Sequence, residues 1–192
     1  AAGLHILAYD CTVAPDSIEI DSPVDIVLGS PELKEAAGPL VEWFRENRRD
    51  LPWRRRMNAY RVWISEIMLQ QTRVEAVKPY YERFLEELPD VKALAEVPEE
   101  RLLKLWEGMG YYNRARNLKA AAVQIMEEFG GRFPDRYEEI RSLKGIGSYT
   151  AGAIVSFVYN IPKPAVDGNV FRVVTRLLAD PDDITKASTR TK

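Results

Sequence analysis

The run Leu143-Lys144-Gly145-Ile146-Gly147-Ser148-Tyr149-Thr150-Ala151-Gly152-Ala153 sets two glycines around one aliphatic residue and then opens an apolar, small-residue helix. Glycines on either side of Ile146 permit a tight turn and a close approach of backbone to a neighbour. The helix that begins at Ser148 points its first N–H groups outward, where they can receive a phosphate oxygen without reading any base. The same residues also make an ordinary glycine-rich connector between two helices. Both readings stand at this point.

On either side of this turn the punctuation is helical. Apolar periodicity predicts helices over 35–49, 60–71, 74–88, 91–95, 99–106, 115–129, 137–142, 148–159 and 168–178, with Leu51-Pro52 and Gly130-Gly131 as stops. No segment after residue 35 demands a strand, so the body is expected to be all-α with short connections. Residues 1–34 carry Pro15, Pro23 and Pro31 and no motif. A length of 192 residues suits one domain or two small ones, and 46% hydrophobic with 29% charged residues is a globular balance. No apolar run approaches the ~20 residues of a membrane span. The start lacks the basic and apolar regions of a signal peptide, and an intracellular protein is expected.

Two scarcities remove whole mechanisms. Cys11 is the one cysteine and His5 the one histidine. One thiol excludes an internal disulfide and a cysteine-ligated metal centre, and one imidazole in a motif-free stretch argues against a Ser-His-Asp triad. Acid–base chemistry therefore falls to carboxylates, tyrosines or lysines. The net charge of −2 hides an asymmetry: residues 1–38 set seven acids against Lys34, leaving 26 basic and 22 acidic residues for the remainder. A mildly basic body is compatible with phosphate binding but does not establish it.

Three further clusters can carry chemistry. Asp167, in Val166-Asp167-Gly168-Asn169-Val170, precedes an apolar helical stripe and reads as an N-cap, a position that favours the charged carboxylate. Glu66, in Trp63-Ile64-Ser65-Glu66-Ile67-Met68-Leu69, is the only charge between Arg61 and Arg73. Burial there would hold it protonated and fit to act as a general acid; alternatively Glu66, Gln70 and Arg73 share a solvated strip at i, i+4, i+7. Two carboxyls in opposed environments can divide acid and anion roles in glycosidic-bond cleavage, provided the fold brings them together. Gly108-Met109-Gly110-Tyr111-Tyr112-Asn113-Arg114-Ala115-Arg116-Asn117 offers either stacking surfaces beside phosphate-binding charge, or a turn with tyrosines inside and arginines in water.

Together with Leu51-Pro52-Trp53-Arg54 and the Gln70-Gln71-Thr72 that follows Leu69, these motifs stand in the order found in A/G-specific adenine DNA glycosylases of the MutY type. The chain resembles that family over about residues 38–192, within the helix-hairpin-helix DNA glycosylase superfamily. The resemblance implies an all-α fold: a six-helix barrel with its helix-hairpin-helix over 52–159, a partial second lobe from 35–51 and 160–192, and an unmatched acidic segment, 1–34. It implies a monofunctional hydrolase that flips adenine mispaired with 8-oxoguanine or guanine out of duplex DNA. By matching position, Glu66 resembles the acid that protonates adenine N7, and Asp167 the carboxylate that stabilises the sugar cation. Tyr149 resembles a supporting tyrosine and Asn169 a polar partner of the catalytic carboxylates. Arg54, Trp53 and Leu69 resemble adenine-pocket residues. Gln71 and Tyr111 resemble side chains inserted into the base stack, while Lys144, Gly145 and Gly147 belong to the phosphate-binding hairpin.

Related endonuclease III enzymes carry a Schiff-base lysine where this chain has Tyr149, so the resemblance favours hydrolysis over strand cleavage. Full-length family members also carry a four-cysteine [4Fe–4S] motif and then a Nudix-like domain. This chain has neither, holds no metal site of its own, and is expected to be a fragment or fusion, monomeric, impaired by the missing part, and bound to DNA rather than membrane. Another helix-hairpin-helix glycosylase, acting on T:G pairs or oxidised pyrimidines, and a non-catalytic DNA-binding module remain the alternatives.

Overall fold

The computed structural model describes residues 31–186, the side chains of Glu32 and Lys34 apart. The acidic segment 1–34 therefore lies outside the described residues except for its last four, and His5 and Cys11 lie outside them altogether. Among the described residues the regular structure is helical throughout: α1 (Pro31–Asn47), α2 (Pro52–Arg55), α3 (Ala59–Leu69), α4 (Val74–Glu87), α5 (Val91–Glu96), α6 (Glu99–Leu105), α7 (Asn113–Glu128), α8 (Tyr137–Ser142), α9 (Ser148–Tyr159) and α10 (Gly168–Leu177). The all-α expectation holds. None of these helices is long and apolar enough to cross a membrane.

The chain divides into two units. The first, from Asp50 to Ile161, is organised around α3. Asn58 caps that helix by accepting a hydrogen bond from the Arg61 N–H at 2.8 Å. Nine of its eleven residues are buried, and Trp63 and Ile64 are wholly so. A helix that is apolar on every side must be surrounded, and α2, α4, α7 and α9 all pack against this one. α4 contributes the stripe Val77, Tyr81, Phe84, Leu85, and α7 the stripe Ala115, Leu118, Ala122, Ile125, both at helical spacing. Edge-on aromatic pairs tie the layers together: Trp53 with Tyr81 and Trp63 with Phe133, each at 5.5 Å between centroids.

The second unit comprises residues up to Arg49 and from Pro162 onward. Its described helices, α1 and α10, pack on each other. Asp167 starts α10 as predicted, its Oδ1 accepting the N–H groups of Asn169 at 3.0 Å and Val170 at 2.8 Å.

Several helix limits differ from the sequence expectation for local reasons. Pro52 does not merely stop the preceding helix; it occupies the first turn of α2, where its missing N–H costs nothing. α1 opens at Pro31 rather than 35, and α7 opens at Asn113 rather than 115. α3 ends at Leu69, because Gln71 takes a left-handed backbone conformation that no helix continues.

Candidate active site and nucleic-acid interface

Glu66 is the one buried charged side chain among the described residues, 7% exposed in the middle of α3. The solvated-strip reading fails for it, because the face of α3 that carries it is packed rather than wetted. Gln70, beyond the last turn, and Arg73 are exposed. α9 packs on α3 and presents Tyr149, half-buried, in its first turn. Leu69, half-buried, closes α3. Trp53 is buried on α2, where its ring meets Tyr81, and Arg54 beside it is half-buried. All of these belong to the unit Asp50–Ile161.

Asp167 and Asn169 belong to the other unit. Both are half-buried. The Asn169 side chain donates from Nδ2 to Asp167 Oδ2 at 3.0 Å, while the backbone bonds of the cap go to Oδ1. The two carboxylate oxygens thus have separate partners, and the Asp167 side chain is held at both ends. The family resemblance implied only that Asn169 is a polar partner of the catalytic carboxylates, without indicating an atom.

The helix-hairpin-helix tip is anchored from within. Leu143 and Ile146, at 2% and 7% exposed, point into the core, and the Ile146 N–H closes the turn on the Leu143 carbonyl at 3.1 Å. The Lys144 N–H is held by Gln124 Oε1 of α7 at 3.2 Å. Lys144, Gly145 and Gly147 face solvent. The N–H groups of the two glycines bond to nothing among the described residues, and no side chain caps α9. The outer face of the turn is therefore a row of exposed donors beside an ammonium group, which suits an anion.

The glycines differ. Gly145 has φ +76, and a Cβ there would lie 2.7 Å from the Asn117 Cβ. Gly147 has φ −92, and a Cβ there would meet nothing within 4 Å.

The Gly108–Asn117 motif inverts one expectation. Its tyrosines face out, Tyr111 at 64% and Tyr112 at 38% exposed. Its Arg114 turns inward and is not a solvated or phosphate-facing group. Arg114 Nη1 donates to the carbonyls of Ile67 at 2.9 Å, Met68 at 3.1 Å and Gln70 at 2.5 Å. Nη2 donates to Thr72 Oγ1 at 3.3 Å and to the carbonyls of Met109 at 3.2 Å and Gly110 at 3.4 Å. Burial draws the guanidinium below the ordinary arginine pKa. The sequence missed this bracket; its signal was an arginine immediately before a buried stripe, which an exposed arginine shares.

Gln71 and Tyr111, both exposed, have φ of 55 and 48. Non-glycine residues in that region each cost about 1–3 kcal/mol and persist where surroundings over-determine them.

Among the described residues no cluster of three or more His, Cys, Asp or Glu is placed to hold a metal ion. An iron–sulfur cluster takes its ligands from cysteine thiolates. With Cys11 alone, the chain does not supply that donor set.

The sequence model of the HhH-GPD superfamily of base excision DNA repair proteins matches residues 64–192. The adenine DNA glycosylase of Buchnera aphidicola subsp. Baizongia pistaciae is 46% identical over 138 residues, 71% of this chain and 39% of the relative. The Homo sapiens adenine DNA glycosylase is 42% identical over 157 residues, 77% of this chain and 29% of the relative. The chain thus spans two fifths or less of the length of these relatives. Among solved structures, a thermostable thymine-DNA glycosylase aligns with a TM-score of 0.71 at 29% identity, over 75% of this chain and 67% of that one. An endonuclease III–DNA complex aligns with a TM-score of 0.69 at 24% identity, over 83% of this chain and 75% of that one, a likeness of fold.

Proposed function

The chain belongs to the HhH-GPD superfamily of base excision DNA repair proteins, and on that premise we propose that it hydrolyses the N-glycosidic bond of adenine mispaired with 8-oxoguanine or guanine in duplex DNA. The observation that carries the reading is Glu66, an acid kept inside the most buried helix of the fold, in the stretch that resembles the adenine glycosylases. Burying a carboxyl is costly, and burial favours its neutral, proton-bearing form.

In the proposed reaction the adenine is extruded from the stack and received beside Trp53, Arg54 and Leu69. Glu66 gives its proton to adenine N7. The C1′–N9 bond then breaks with its electron pair leaving on the purine, and positive charge develops on the deoxyribose. Asp167, steered by Asn169, stabilises that cation from a carboxylate fixed at both oxygens. Water adds to C1′, and the proton it sheds restores Glu66. Tyr149 supports the acid from the neighbouring helix. It has no amine to form a Schiff base, so the strand stays intact. Lys144 and the backbone of Gly145 and Gly147 hold a phosphate, and Gln71 and Tyr111 enter the stack beside the lesion. The protein works as a monomer on chromosomal DNA inside the cell.

The test is single-turnover base release from duplexes holding A:8-oxoguanine, A:G or T:G, with wild type, Glu66→Gln and Asp167→Asn. Adenine release is expected, falling about 10²–10⁴-fold in Glu66→Gln, the range of a lost general acid. Thymine release in preference to adenine would overturn the substrate. Duplex binding with no base released by wild type would reduce the chain to a binding module.

A further inference from the structure

We propose that Arg114 is a positioning residue that presets Gln71 and Tyr111 for insertion into the base stack; the inference rests on the reading of those two side chains given above. The two residues lie 40 positions apart in sequence, yet each stands exposed at the tip of its own loop with a left-handed backbone. A conformation of that kind relaxes unless neighbouring groups enforce it. Arg114 touches both loops with one guanidinium. Its bonds to the Gln70 carbonyl and to Thr72 Oγ1 bracket Gln71 on either side. Its bond to the Gly110 carbonyl takes hold of the residue before Tyr111, and the Tyr111 ring lies 5.5 Å from the guanidinium carbon. The Arg114 backbone N–H also donates to the Tyr111 carbonyl at 2.9 Å.

The indole of Trp106 supports the guanidinium from 5.4 Å, and the remaining bonds, to Ile67, Met68 and Met109, fix it to the end of α3 and to the glycine loop. The four N–H groups on Nη1 and Nη2 of a planar fork share these six acceptors; an ammonium with three donors on a flexible stem cannot serve them all. The arrangement turns an arginine inward, away from the surface where it would meet a polyanion. Its product is two pre-formed tips at a fixed relation, so that probing a base pair does not require ordering either loop first.

The experiment places 2-aminopurine at the target adenine and reads the fluorescence rise on extrusion by the full chain. Duplex affinity and thermal unfolding are measured alongside. Arg114→Lys keeps the charge and is expected to slow extrusion about tenfold, with affinity for an undamaged duplex within about twofold of wild type because the hairpin contacts are untouched. In a Gln71→Ala, Tyr111→Ala background the same replacement is expected to change extrusion no further. An equal loss in both backgrounds would mean that Arg114 acts only through general stability, and would overturn the proposal. Thr72→Val, which removes a single acceptor of Nη2, is the variant to use if Arg114→Lys does not fold. A slower extrusion that vanishes in the double-alanine background supports the proposal, and extrusion at the wild-type rate overturns it. Wild-type extrusion indifferent to Gln71→Ala and Tyr111→Ala would overturn the reading of the tips and the proposal with it. Extrusion that needs the tips and ignores Arg114 would overturn the proposal alone.

Discussion

Replacing Gly145 and Gly147 one at a time with alanine separates what the fold requires of the hairpin from what a bound phosphate requires. At Gly145 the backbone has φ +76, so alanine takes on about 1–3 kcal/mol of conformational strain. Its Cβ would also sit 2.7 Å from the Asn117 Cβ, a carbon fixed to the backbone of α7 and unable to swing aside. Overpacking of that kind adds about 1–3 kcal/mol, for a total of roughly 2–6 kcal/mol. At Gly147 the backbone is already open to any residue and the space is empty. Alanine there gains about 0.4–1 kcal/mol by restricting the unfolded chain and loses a similar amount as a poorer N-cap than glycine. Gly147→Ala should therefore unfold in urea with the wild type, while Gly145→Ala unfolds markedly earlier. Duplex titrations should rank them differently. A methyl group at Gly147 stands where a phosphate oxygen approaches the exposed N–H groups, and losing one charge-assisted bond of about 1.5–3 kcal/mol weakens binding tenfold or more. If Gly147→Ala bound duplex DNA as tightly as wild type, the turn would be a connector between helices and the phosphate reading would be wrong.

Lys144→Ala should weaken binding to any duplex sequence alike and lower the slope of log affinity against log salt by about 0.9, one phosphate's share; an unchanged slope would place its ammonium away from the backbone. Asn169→Ala removes the bond to Asp167 Oδ2 but leaves the cap on Oδ1, so α10 should keep its stability to within about 1.5 kcal/mol. The single-turnover rate should fall with duplex affinity unchanged, and a fall in affinity alone would contradict the steering role. Alkaline pH should destabilise the unit Asp50–Ile161: burial pushes the Tyr81 phenol up to about 12 and the Tyr60 phenol, which donates to the Leu88 carbonyl at 2.8 Å, upward too. Unfolded tyrosines ionise near ~10, so this stability is intact below that pH and is lost as pH rises through the folded values. Urea midpoints from pH 8 to 12 should show the decline, shallower in Tyr60→Phe; a flat profile would refute it.

What the sequence revealed followed from periodicity and punctuation. The hairpin was legible because its glycines interrupt two apolar stripes at one place. Asp167 was legible as a cap because an apolar stripe begins three residues after it. Glu66 was ambiguous: i, i+4, i+7 spacing places Gln70 and Arg73 on its face, and periodicity does not reveal that α3 stops at Leu69 and leaves those two outside the packed stretch. Burial of that face is decided by α4, α7 and α9, which are supplied from 5 to 90 residues further along the chain. Arg114 was misread for the same reason. Three of its acceptors are main-chain carbonyls 44 to 47 residues away, which leave no mark on residue type. The left-handed backbones of Gln71 and Tyr111 also had no local signal, since neither residue is the glycine that such a conformation usually selects.

These features share a physical logic that distinguishes them from Asp167. A buried acid, two non-glycine residues at positive φ and a turn with exposed donors are each costly, and a cheaper residue at each position would serve the fold better. Leucine would fill the place of Glu66 in α3, and glycine would relax Gln71 and Tyr111. Departures from local preference that gather on one structural unit point to a functional site, where local rules are broken and compensated elsewhere. Asp167 is the opposite case. As an N-cap accepting two N–H groups it stabilises α10, so its presence is explained without any reaction. A test of its catalytic role must therefore keep the cap and remove the charge, which truncation to alanine does not do. Asparagine caps as well as aspartate does and removes only the charge. Loss of base release in Asp167→Asn with α10 and duplex affinity intact therefore isolates the carboxylate, and undiminished release would leave Asp167 as a cap and nothing more.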